Sequence, residues 1–140
     1  MPEGALRAMG KLNVPIYRLT RGRLMGKISH APVLLLTTTG RRSGQLRTAP
    51  VLYLADGERL VVIGSNAGNA HAPAWSLNLQ ANPDAEVDVY GKRSRVRARV
   101  AEGEERAELW RLSNEQYSGF DAYDARTARD IKLFVLEPRP

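Results

Sequence analysis

The sequence predicts an α+β fold in which six antiparallel strands close into a small barrel and two or three helices flank it. Three observations carry this. Short apolar or alternating runs recur along the chain, at Val33–Leu36, Leu46–Leu54, Arg59–Gly64, Ala85–Tyr90, Lys92–Val100 and Ile131–Leu136. Turn signals separate neighbouring runs, so the strands return on themselves. With 140 residues, 43% of them hydrophobic, the chain suits one domain with a single core.

Residues 1–30 carry a helical pattern in which Leu6, Met9, Leu12, Ile16 and Leu19 lie near one face. Pro15 divides it into two short helices. This segment is read as a basic N-terminal helical unit ahead of a barrel domain at 31–140. It packs on the domain's own core or, in a second reading, lies on an anionic membrane surface.

The first strand is the run ending in three threonines, LLLTTTGRRSGQLR, which passes into Gly40-Arg41-Arg42-Ser43-Gly44. Glycines can turn backbone N–H groups toward an anion, and arginines clamp phosphate or carboxylate through paired donors. The loop is therefore either a cationic anion-binding turn or a hairpin with solvated arginines.

In LRTAPVLYL, Pro50 marks an edge, a bulge or a break. Asp56-Gly57 turns the chain into RLVVIG, completing a meander. The small polar stretch SNAGNAHA follows, suited to close approach by a flat ligand. Pro73-Ala74-Trp75 opens a short helix with Leu77 and Leu79 as core contacts, ended by Asn82-Pro83-Asp84.

The next hairpin places Val87 and Val89 inward, Glu86 and Asp88 outward, and turns at Gly91. Its second strand sets Arg93, Arg95, Arg97 and Arg99 on one face, read as a solvated row paired with Glu86 and Asp88 rather than a nucleic-acid track. Glu102 to Tyr117 is an acidic helix with Ala107, Leu109, Trp110 and Leu112 toward the core. An aromatic segment, QYSGFDAYDART, leads to the last strand, IKLFVL.

Composition excludes several chemistries. There is no cysteine, hence no disulfide, thiolate zinc site or cysteine nucleophile. His30 and His71 are too few for a histidine metal cluster. HExxH and GxSxG are absent, so a cofactor is expected to carry any catalysis. No apolar run is long enough to span a bilayer and no signal peptide is visible, so a cytoplasmic protein is expected, with a peripheral site on the inner face of the membrane as the further possibility. The net charge is +6, and from Gly4 to Ala55 there are nine Lys/Arg and no Asp or Glu. Such a block implies an anionic partner.

Taken together, TTTGRRSGQLRTAPVLYL, VVIGSNAG, HAPAWSLNLQANPDAEV and YDARTARDIKLFVLEP resemble the deazaflavin-dependent nitroreductase and quinone reductase family. The resemblance covers Pro32 to Pro138, with the motifs in family order and similarly spaced. It implies a split β-barrel of the FMN-binding type and coenzyme F420, which bears a phosphate and an oligoglutamate tail. Arg41, Arg42, Ser43, Gly44 and Arg47 fall on the family's anion-gripping segment, and Pro50 is implied as a further cofactor-binding position. Gly64, Ser65, Asn66, Ala67 and Gly68 fall beside the deazaflavin ring, and Trp75 and Asn78 near the cofactor.

The implied reaction is hydride transfer from reduced deazaflavin to a planar electron-poor acceptor such as a quinone. Ser65 and Tyr123 would donate hydrogen bonds to it, and Tyr117, Phe120 and Tyr123 would line its site. Two positions depart from the family: Asn66 stands where lysine is frequent, and Phe120 where tyrosine is. The second puts nitro-compound reduction in doubt more than quinone reduction. The rival readings are the same barrel holding FMN, a protein that binds F420 without turnover, and a non-catalytic barrel for anionic lipid or nucleic acid.

Overall fold

Val33, Leu34, Leu35 and Leu36 are all 0–1% exposed, and that burial organises the fold. Successive side chains of a strand point to opposite faces, so an unbroken apolar run demands cover on both. Leu34 and Leu36 face inward, onto Val51, Val62, Leu79, Val87, Phe134 and Leu136. Val33 and Leu35 face outward, onto Tyr17.

The computed structural model describes residues 14–20, 27–28, 31–65, 72–117 and 131–140. Residues 14–20 are helical (α1). Then come β1 (Lys27–Ile28), β2 (Ala31–Thr39), β3 (Leu46–Leu52), β4 (Leu54–Asp56), β5 (Arg59–Ile63), α2 (Ala74–Ala81), β6 (Asp84–Val89), β7 (Lys92–Val100), α3 (Gly103–Gln116) and β8 (Leu133–Pro138). Every pairing is antiparallel. The longer strands follow the order β3-β2-β6-β7-β8-β5-β4. Its two ends, β3 and β4, are separated along the chain by Tyr53 alone, so one bent strand bounds both sides of a sheet curled into a half-barrel.

Eight strands therefore replace the six expected among the described residues. The two-residue β1 adds one, and the second predicted strand, Leu46–Leu54, is divided at Tyr53. Pro50 stays in the ladder, opposite Leu35, because β3 pairs only with β2 and leaves its other edge free of a ladder.

Alternation sorts the remaining apolar residues. Val62, Phe134 and Leu136 join the inner core, while Val61, Ile63, Leu133 and Val135 form an outer cluster under Leu109 of α3. Within α3, Leu109 and Ser113 define the buried stripe, with Trp110 and Leu112 beside it. Ala107 is exposed, contrary to expectation, because two residues is more than half a turn away from Leu109. Glu105 ties this helix to the sheet: both its oxygens meet Arg99, at 2.6 and 2.9 Å, and Arg59 reaches it at 3.3 Å. The Arg99 guanidinium holds the Glu105 carboxyl down to about 2.

The arginine row on β7 behaves as a solvated face. Arg95 stands opposite Glu86 and Arg93 opposite Asp88 in register, and Arg97 reaches Asp84 at 3.7 Å. Asp88, expected in solvent, is 8% exposed; its Oδ1 accepts the Gly91 N–H at 2.8 Å and braces the turn.

Helix α1 is anchored by a residue outside the predicted apolar stripe. Tyr17 is wholly buried, whereas Leu19, two residues on, is 87% exposed. The Tyr17 hydroxyl donates to the Asp88 carbonyl (3.2 Å) and accepts the Tyr90 N–H (2.8 Å). Burial pushes its pKa up to about 12. No helix among the described residues is long and apolar enough to cross a membrane.

Candidate functional site

The threonine-rich end of β2 runs straight into the loop at 40–45. Gly40 N–H donates to the Gln45 carbonyl (2.7 Å) and Gly44 N–H to the Gly40 carbonyl (2.8 Å). Ser43 Oγ accepts the Gln45 N–H at 3.1 Å. Gly44 sits at φ 71°, a conformation that favours glycine. A fourth N–H, of Arg41, donates to Asn78 Oδ1 at 3.1 Å. The loop thus spends most of its own backbone donors on its shape. Anion binding here falls to side chains rather than to a nest of amides.

Those side chains are free to do it. Arg59, Arg93, Arg97, Arg99, Arg111 and Arg139 each reach a carboxylate. Arg41, Arg42 and Arg47 are exposed and have no acidic partner among the described residues. Arg47 stands opposite Thr38 in the ladder, on the inward side, the side from which Asn78 approaches. Pro50 alternates to the outward side, where Leu35 and α1 lie.

Helix α2 connects this loop to the end of β5. Asn78 Nδ2 donates to Thr38 Oγ1 at 3.0 Å, and Asn78 is 3% exposed. Trp75 packs edge-on against Phe134 at 5.9 Å between ring centres and 61° between planes, anchoring the helix in the inner core. On its other side Ser76, 1% exposed, lies over Gly64: a Cβ on Gly64 would come within 3.0 Å of Ser76 Oγ. Gly64 N–H also donates to the Lys132 carbonyl at 2.9 Å. At this glycine the close approach is made by α2 itself.

Ser65, two residues past the end of β5, is 6% exposed. Tyr117 follows the last turn of α3 and packs on the outer cluster with Val61 and Ile63. Asn66, Ala67, Gly68, Phe120 and Tyr123 lie outside the described residues. The structure therefore brings together Arg41, Arg42, Ser43, Gly44, Arg47 and Asn78, with Gly64, Ser65 and Trp75 linked to them through α2. Thr38 and Ser76 belong to the same assembly and were not singled out from the sequence. Thr38 was hidden in a threonine run whose strand role explained it fully. No group of His, Asp or Glu that could hold a metal ion occurs among the described residues.

The arrangement is a rigid cationic loop braced against a short helix, beside the mouth of a curled sheet. Its exposed guanidiniums suit an anion. The model of the F420H(2)-dependent quinone reductase family matches residues 9–138. An F420H(2)-dependent quinone reductase of Mycobacterium tuberculosis is 38% identical over 133 residues, covering 92% of this chain and 89% of that protein. A solved F420-H2 dependent reductase superposes with a TM-score of 0.70 at 34% identity, over 76% of this chain and 94% of its own. Another solved structure, described as a domain-swapped dimer, gives a TM-score of 0.73 at 30% identity, over 91% of this chain and 95% of that one.

Proposed function

The chain belongs to the F420H(2)-dependent quinone reductase family, and from that premise we propose that Arg41, Arg42 and Arg47 grip the anionic end of coenzyme F420 while a quinone is reduced beside the end of β5. It is an F420-dependent oxidoreductase, with F420 as its cofactor. The observation that carries the assignment of residues is the group of three exposed guanidiniums, two on the loop and Arg47 at the start of β3, with no acidic partner among the described residues. A phosphate with an oligoglutamate tail is the ligand chemistry such a track fits, since each guanidinium can pair with a phosphate or carboxylate through two donors. FMN carries one phosphate and would leave part of the track unused.

Reduced F420, when bound, supplies two electrons as a hydride. The chain's own task is to align the acceptor and meet the charge that grows on its oxygen. Ser65 and Tyr123 are the proposed hydrogen-bond donors to that oxygen. Tyr117 and Phe120 form the apolar side of the acceptor site, Tyr117 from its place beside Ile63. Gly64, Asn66, Ala67 and Gly68 would lie beside the deazaflavin ring, and Trp75 anchors α2 on Phe134. An activity screen with reduced F420 tests this. Quinones should turn over and nitroaromatics lag, and unchanged quinone turnover in both Ser65→Ala and Tyr123→Phe would remove the donor assignment.

A membrane-facing role for the N-terminal segment is a second, narrower proposal. Leu19 on α1 and Leu46 on β3 are 87% and 69% exposed, and Arg18 of α1 donates to Thr48 Oγ1 at 3.3 Å. Apolar tips set among cations suit an anionic surface, where quinones are found.

A further inference from the structure

We infer that Asn78 is a positioning residue, which sets the shape of the Arg41–Arg42 loop from beneath and does not itself contact the cofactor. The identity of the anion rests on the F420 reading above; the geometry of the loop does not. Both ends of the Asn78 amide are committed within the protein: Oδ1 to the Arg41 N–H at 3.1 Å and Nδ2 to Thr38 Oγ1 at 3.0 Å. A side-chain amide has one further N–H and one further lone pair. Here they belong to a side chain that is itself buried, Asn78 being 3% exposed and its partner Thr38 1%. A ligand cannot reach them without displacing what is already paired.

The amide is also held from behind. Trp75 on Phe134 and Ser76 on Gly64 lock the helix that carries it. Since Gly40, Gly44 and Gln45 bond only within the loop, the Arg41–Asn78 bond is what ties that loop to α2. Removing it leaves a self-braced turn free to tilt, and the Arg41 and Arg42 side chains tilt with it. This places Asn78 in the recognition of the phosphate and glutamates, not of the deazaflavin ring, although the family pattern groups it with the residues near the cofactor.

The test compares two ligands and one ligand-free readout in Asn78→Ala and Thr38→Val. The first ligand is F420. The second is the same deazaflavin lacking the phosphate and glutamates. The Kd for F420 should rise about tenfold in Asn78→Ala and about threefold in Thr38→Val, and the double variant should be no weaker than Asn78→Ala alone. The Kd for the truncated deazaflavin should stay within about twofold. Hydrogen exchange of the Arg41 amide, without ligand, should speed up about tenfold or more in Asn78→Ala. Equal weakening toward both ligands would overturn the inference, because it would signal ring contact or general damage. Unchanged Arg41 exchange would overturn it independently of any ligand. A wild-type protein that bound neither compound would sink the F420 reading and leave positioning to be decided by exchange. If Asn78→Ala does not fold, Thr38→Val carries the same three measurements.

Discussion

Gly64→Ala probes the contact by which α2 is seated. The added Cβ would lie 3.0 Å from Ser76 Oγ, 3.2 Å from Ser76 Cβ and 3.6 Å from the Lys132 carbonyl oxygen. Carbon atoms rest at about 3.5–4.0 Å, so α2 must retreat by a few tenths of an ångström or Ser76 must leave its rotamer. Overpacking of this size costs about 1–3 kcal/mol, offset by about 0.4–1 kcal/mol from the stiffer unfolded chain. Gly64 does not occupy the left-handed region, so nearly all of the cost is steric. The net expectation is a loss of about 1–2 kcal/mol. Because α2 carries Asn78, affinity for F420 should fall severalfold as well. The assay is urea unfolding and F420 titration of the wild type, Gly64→Ala, Ser76→Gly and the double variant. Ser76→Gly alone costs about 0.5 kcal/mol of helix propensity. In the double variant the clash is gone, so the cycle should show a favourable coupling of about 1 kcal/mol and recovered binding. Additive losses would refute the seating argument.

Three further outcomes are expected. Tyr17→Phe should destabilise by about 1–2 kcal/mol, since the Tyr90 N–H and Asp88 carbonyl lose their shared partner. The Tyr17 pKa of about 12 lies above the unfolded value near 10, so the folded chain holds this proton more tightly. The hydroxyl's contribution is therefore full below about pH 10 and fades toward pH 12, and the difference in stability between the wild type and Tyr17→Phe should narrow across that window. Arg42→Glu should weaken F420 about tenfold or more while shifting stability by less than about 0.5 kcal/mol, as its side chain is exposed. Arg95→Glu, on the outer face of β7, should leave affinity unchanged. Leu19→Glu with Leu46→Glu should reduce co-sedimentation with vesicles of mixed anionic and zwitterionic lipid, and no change would remove the membrane proposal.

Much of the fold was legible because its signals are local. The run Val33–Leu36 announced a strand buried on both faces, and the alternation around Gly91 announced a hairpin with one wet side. What escaped depended on partners distant in sequence. Tyr17 was passed over for the stripe through Ile16 and Leu19, because its hydroxyl finds its acceptor and donor more than seventy residues away. The bend at Tyr53 has no breaker residue, whereas Pro50, read as an edge, a bulge or a break, sits in an edge strand. The cationic loop could be found from its arginines and glycines. Its bracing could not, since Thr38 and Asn78 lie forty residues apart and meet only once the sheet has curled.

Titration of the purified protein with oxidised F420 and, separately, with FMN tests the central claim most directly, read by Trp fluorescence and by the fluorescence of each cofactor. Saturable binding of F420, weakened by salt and lost in Arg42→Glu, with FMN bound far less tightly, is the predicted result. Equal or stronger binding of FMN, or F420 binding indifferent to Arg42, would contradict the assignment of this loop to the phosphate and glutamate tail.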